Sequence, residues 1–186
     1  ISVWQDAAAA YDDGYRAAGN MLRNEGIEVV SYVRGGFFTA LAGAERSKAI
    51  DENKRIIDEA AEIGAPLVVL VCGATPEQSL FESRKQITEG IAASIEHAAA
   101  AGVKLGIEPL HPMYADSRSA VNTMSQAGGI CDEVGHPNLG ITADVFHIWW
   151  DDHLEEEIKI AAAKNQLFSF HICDWKNLPE DMLNEA

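Results

Sequence analysis

Short apolar runs recur along the chain, each followed by a loop and then by a longer stretch whose apolar residues fall at helical spacing. The runs are Ile27 to Val33 (IEVVSYV), Pro66 to Cys72 (PLVVLVC), Val103 to Glu108 (VKLGIE), Leu139 to Asp144 (LGITAD) and Leu167 to His171 (LFSFH). Each reads as a strand, and Trp4 ends an earlier one. They are apolar nearly throughout rather than strictly alternating, as expected of strands covered on both faces by helices. Between them, Ala49, Ile50, Ile56, Ile57, Ala60 and Ile63, and later Leu154, Ile158, Ala161 and Ala162, put an apolar stripe along one side of a helix. Thr75-Pro76-Glu77-Gln78 reads as a helix start, with a capping hydroxyl, a proline at the first helical position and a capping-box glutamine. Gly64, Gly102 and Gly135 stand where helices should end, whereas Gly128-Gly129 should weaken the helix that contains them.

The expected strand ends, at positions 34, 72, 108, 144 and 171, are about one strand-helix unit apart. Alternating units of this kind build either a doubly wound open sheet or a closed eight-stranded barrel, and periodicity alone does not choose. In both architectures the functional site lies at the carboxyl ends of the strands. Read there, the chain offers Arg34-Gly35-Gly36, Cys72-Gly73, Glu108-Pro109, Asp144 with His147, and His171 with Asp174. Glu108, Asp144 and His171 thus end three neighbouring strands with two carboxylates and an imidazole. Such a mixed oxygen and nitrogen set suits one divalent ion, Mn²⁺, Mg²⁺, Co²⁺ or Zn²⁺. Each residue also has a structural reading, because an aspartate after a strand often caps a helix and a histidine often packs in a core.

Composition narrows the function. The 186 residues are 47% hydrophobic but hold no apolar run near the ~20 residues of a membrane span. The opening residues lack the basic and apolar regions of a secretory signal, so a cytoplasmic location is expected. Cys72, Cys131 and Cys173 have no C-x-x-C spacing and read as free thiols, mostly buried. The net charge of −15, from 29 acids against 14 bases, disfavours a nucleic-acid partner and points to a small polar substrate.

Several segments carry a resemblance to a known family: Val3-Trp4, Arg34-Gly35-Gly36-Phe37-Phe38, Leu105-Gly106-Ile107-Glu108-Pro109-Leu110-His111-Pro112, Asp144-Val145-Phe146-His147 and His171-Ile172-Cys173-Asp174-Trp175. They resemble the sugar phosphate isomerase/epimerase family of the xylose isomerase-like barrels, relatives of tagatose 3-epimerase, hydroxypyruvate isomerase and the inosose enzymes. The resemblance implies a (β/α)8 TIM barrel, and residues 1–186 are expected to form one such domain with its first and last strands missing. It implies one divalent metal held by Glu108, Asp144, His171 and a second glutamate on the absent last strand. The implied reaction is isomerisation or epimerisation of a sugar, sugar phosphate or related polyol or keto compound, by proton transfer through a metal-stabilised enediolate. Glu108 is the expected base. His147 is expected to contact substrate, Arg34 and Lys176 to hold a sugar hydroxyl or a phosphate, and Trp4 to wall the sugar or pack in the core. Trp149-Trp150 would line the pocket or pack beside it, with His111 and Asp174 as supporting residues.

Other readings remain open on these residues. A non-catalytic barrel that binds sugar or metal would share most of the pattern. An apurinic-site endonuclease would need further histidines where Arg34 and Cys72 stand, and a dehydrogenase would need a G-x-G-x-x-G after a strand. Two open barrel edges would be a reason to associate, so a homo-oligomer is a further possibility.

Overall fold

The computed structural model describes residues 1–173. Its strands are β1 (Ser2–Trp4), β2 (Ser31–Gly36), β3 (Leu67–Val71), β4 (Lys104–Ile107), β5 (Leu139–Asp144) and β6 (Leu167–His171). Its helices are α1 (Gln5–Ala9), α2 (Tyr15–Asn24), α3 (Gly43–Ile63), α4 (Leu80–Ala100), α5 (Met124–Val134), α6 (Val145–Ile148) and α7 (Leu154–Ala163). The strands form one parallel sheet in the order β1-β2-β3-β4-β5-β6. This order decides between the two architectures. A doubly wound sheet reverses direction at a switch point, whereas each strand here lies beside its predecessor, as in a barrel wall. Among the described residues, β1 pairs only with β2 and β6 only with β5.

The sheet has two unlike faces. Val68, Leu70, Leu105, Ile107, Leu139 and Ile141 point to the helices and join Ile56, Ile57, Ile63, Ile87, Ile91 and Ile130 in a continuous core. Ile87 and Ile91 are fully buried, and each contributes about 1.5–3 kcal/mol relative to an exposed side chain. The opposite face carries Val69, Val71 and the polar strand ends, and it encloses a cavity rather than meeting a second helix layer. The strands therefore read as uniformly apolar for a different reason from the one expected. Helices cover one face, and the barrel interior buries much of the other.

Two expected boundaries move. The run Ile27 to Val33 overlaps the second strand only at its end: β2 starts at Ser31 and continues through Arg34-Gly35 to Gly36. Ile27 and Val30, which suggested a strand, are 36% and 45% exposed in the preceding segment. The helix start expected at Thr75 is instead a turn closed by Gln78 N–H on Thr75 O at 3.1 Å. Helix α4 begins after Ser79, whose hydroxyl accepts from Glu82 N at 3.1 Å, so a second Ser-x-x-Glu signal four residues on takes the cap. Gly64 and Gly135 end α3 and α5 in the left-handed conformation, as expected. Of the stripe read in α7, Ala161 is buried, Leu154 and Ile158 pack against the core, and Ala162 is exposed. Among the described residues, no helix is long and apolar enough to cross a membrane.

Candidate functional site

Alternation along β4, β5 and β6 positions the polar cluster. In β4, Leu105 and Ile107 enter the helix-facing core, which turns Gly106 and the following Glu108 inward. In β5, Leu139, Ile141 and Ala143 do the same and turn Asp144 inward. Asp144 is the register partner of His171, so their side chains leave the sheet side by side. One ligand atom from each of Glu108, Asp144 and His171 lies within 4.8 Å of the others. His171 Nδ1 stands 3.4 Å from Glu108 Oε1 and 3.6 Å from Asp144 Oδ2. Asp144 Oδ1 accepts from Phe146 N at 2.8 Å and caps α6. The capping role and the cluster role thus coexist, one oxygen serving each.

Electrostatics follow from this crowding. Asp144 and Glu108 raise the His171 pKa to about 9 against the opposing effect of burial, so without a metal the imidazolium is their counter-charge. Its Nε2 is buried without a hydrogen-bond partner among the described residues. Metal–ligand bonds of about 2.0–2.2 Å place donor atoms at most about 4.4 Å apart. Donors already within 4.8 Å need only a small closure to meet that limit, and two carboxylate oxygens with one imidazole nitrogen suit a divalent ion. The residues present therefore fit the group that the resemblance implies.

His147 lines the same cavity, and burial lowers its pKa. Its Nδ1 accepts from the His111 backbone N–H at 3.3 Å, which leaves the neutral ring's proton on Nε2. His111 thus supports His147 through its main chain. Trp150 Nε1 donates to His147 O at 2.8 Å and braces the turn, while Trp149 is 56% exposed beside the His111 ring. Trp4 lines the cavity at 57% exposure and is not a core residue.

Arg34 also lines the cavity, for a reason the sequence conceals. The β2–β3 register runs Val33↔Val69 and then Gly35↔Leu70, skipping Arg34, so a bulge lets Val33 and Arg34 face the same side. Cys72 is fully buried in the helix-facing core, with Sγ 3.7 Å from Leu70 O and its thiol pKa pushed up by burial. The ends of β2 and β3 thus offer no imidazole. Lys176 and Asp174 lie outside the described residues. Sequence reasoning missed Arg118, which reaches the cavity from the long segment between β4 and α5. No periodicity marks a lone arginine in a loop. The cavity measures about 310 Å³, with Val69, Val71 and Leu110 among its apolar walls.

Comparison with known proteins places this geometry. The model of the family described as xylose isomerase-like TIM barrel matches residues 1–185. An inosose isomerase of Bacillus licheniformis is 30% identical over 138 residues, 73% of this chain and 48% of that protein. The chain thus spans about half the length of the inosose isomerases it matches. The crystal structure of protein SMc04130 from Sinorhizobium meliloti 1021 superposes with a TM-score of 0.91 at 45% identity, covering 100% of this chain and 67% of that one. A crystal structure of IOLI protein with a zinc atom bound superposes with a TM-score of 0.76 at 22% identity, covering 96% of this chain and 64% of that one, and shares the fold.

Proposed function

The chain belongs to the xylose isomerase-like TIM barrel family, and from that premise we propose that it serves a divalent-metal-dependent isomerase or epimerase acting on a small sugar, sugar phosphate or related polyol or keto compound. The observation that carries this reading is the convergence of Glu108, Asp144 and His171 donor atoms within 4.8 Å on the wall of the cavity. Kinship with inosose isomerases supports a polyol-derived carbonyl compound as the substrate class. The zinc atom in the IOLI structure supports a metal in this fold.

In this reading Glu108, Asp144 and His171 hold the ion. Bound there, Mn²⁺, Mg²⁺, Co²⁺ or Zn²⁺ would supply Lewis acidity to a substrate carbonyl and its neighbouring hydroxyl. Asp144 is pre-oriented, because its Oδ1 is already held by the Phe146 N–H. Glu108 acts as the base that takes the proton from the carbon beside the carbonyl. It is 8% exposed and lies with Val69, Val71 and Leu110 around the cavity, which limits water access to the carbon acid. His147, kept neutral by burial, presents Nε2–H as a donor to a substrate oxygen. Trp4 walls the substrate, and Arg34 holds its polar end.

The test is titration calorimetry with Mn²⁺ on chelator-stripped protein, beside Glu108→Gln and Asp144→Asn. The expected result is one ion per chain, with binding absent from both variants. The metal-loaded protein should then exchange a carbon-bound proton of a ketose or inosose with D₂O, seen by NMR. Equal Mn²⁺ affinity in all three proteins, or none in the unmodified chain, would overturn the metal centre.

A further inference from the structure

The cavity lining also carries charge of the opposite sign. Arg34 and Arg118 line the same 310 Å³ space as the carboxylates, in a chain with about twice as many acids as bases. Among the described residues, no acceptor takes a hydrogen bond from either guanidinium and no carboxylate lies at ion-pair distance from it. Each instead lies over an aromatic ring of its own segment: Arg34 over Phe37 at 5.1 Å and Arg118 over Tyr114 at 5.2 Å from the ring centroid. A cation–π contact of this kind holds the charged head beside the ring without using its N–H donors in a hydrogen bond.

Both side chains start from fixed backbone. The bulge turns Arg34 inward. Arg118 N donates to Tyr114 O at 3.0 Å and Arg118 O accepts from Gly73 N at 2.9 Å, while the next residue, Ser119, bridges to Gly73. Arg118 is thus tied to the end of β3 from the long connection between β4 and α5, which also holds a 3-10 turn at Pro112–Tyr114. Two half-buried guanidiniums whose donors are unused among the described residues favour an anion with several oxygens.

We propose that Arg34 and Arg118 form an oxyanion subsite, and that the substrate is an acidic polyol or keto compound whose phosphate or carboxylate rests there while its carbonyl end reaches Glu108, Asp144 and His171. The role of the carbonyl end rests on the function proposed above; the anion subsite does not. Arg118 is a specificity-determining residue in this scheme.

The experiment measures anion binding by calorimetry in excess chelator at low ionic strength, using inorganic phosphate and glycolate as probes. The proteins are the unmodified chain, Arg34→Gln, Arg118→Gln, Arg118→Lys and Asp144→Asn, each checked for an unchanged circular dichroism spectrum. The expected result is saturable binding of at least one probe, weakened about tenfold or more by either glutamine variant, less by Arg118→Lys, and not weakened by Asp144→Asn. Binding of phosphate alone supports a phosphorylated substrate, and binding of glycolate alone supports a sugar acid. Binding of neither probe, or equal binding by the unmodified chain and Arg118→Gln, overturns the subsite. Loss of Mn²⁺ binding with retained anion binding would sink the metal reading and leave this one standing.

Discussion

Asn53 on α3 links the helix layer to the rim of the cavity, and its removal gives a test with a calculable size. The side chain is 3% exposed. Its Oδ1 accepts from Gly36 N at 2.6 Å, and its Nδ2 donates to Gly36 O at 2.7 Å and to Ala49 O at 2.8 Å. Asn53→Ala leaves both polar groups of Gly36 without a side-chain partner at a buried position. An orphaned buried donor or acceptor costs about 1–3 kcal/mol, so two cost about 2–6 kcal/mol, and about 1.5 kcal/mol for each gives an expected loss of about 3 kcal/mol. The Ala49 carbonyl adds little, because it lies within α3 and keeps its helical partner. For a chain of this size, about 3 kcal/mol lowers Tm by about 6–12 °C. Asn53→Asp should cost at least as much, since it sets a carboxylate oxygen against Gly36 O and buries a charge. Urea unfolding followed by tryptophan fluorescence measures both variants against the unmodified chain. Gly36 lies two residues past Arg34, so phosphate affinity should also fall. A loss below about 0.5 kcal/mol at unchanged m-value would refute the reasoning, because it would mean that Gly36 finds other partners.

Three further outcomes separate competing accounts of the fold. Gly19→Ala and Gly129→Ala should differ in sign although both add a good helix former: a Cβ at Gly19 would stand 2.1 Å from Ile63 O, whereas nothing lies within 4 Å at Gly129. Chemical denaturation should show a loss of more than about 1 kcal/mol for the first and a gain of about 0.5–1 kcal/mol for the second; the same sign for both would contradict the packing of α2 on α3. Ser79→Ala should cost about 1 kcal/mol and Thr75→Ala less than about 0.5 kcal/mol, and the reverse order by thermal melting would move the start of α4 back to Thr75. Tyr32 is fully buried with its hydroxyl on Glu59 Oε2 at 3.1 Å, and burial raises its pKa above the ordinary value. Above about pH 10 the unfolded chain releases this proton while the folded chain keeps it, so stability falls as pH rises. Urea midpoints between pH 7 and 11 should decline less steeply in Tyr32→Phe, and parallel slopes would assign the effect to another group.

The alternation of strand and helix, and the strand ends that present Glu108, Asp144 and His171, were legible because they depend on local period and on the side of the pleat a residue occupies. Glycine caps at Gly64 and Gly135 were legible for a similar reason, since a left-handed residue is a local requirement. The start of α4 was misplaced because two capping signals lie four residues apart, and both satisfy the same local rule. The start of β2 was misplaced because Ile27 and Val30 look like strand residues, while Arg34-Gly35 looks like a loop unless the neighbouring strand is known.

What the sequence determined by itself was therefore the inventory of elements and the polar residues at their ends, through hydrophobic period and chain-local geometry. What only the tertiary structure decided was which of those ends meet. The order β1 to β6 made the sheet a barrel wall, the slipped register between β2 and β3 turned Arg34 inward, and the tether of Arg118 to Gly73 brought a loop residue to the same cavity. Each of these depends on pairing between segments distant in the chain. Such pairing is set by the summed burial and hydrogen bonding of the whole sheet, which no window of sequence contains.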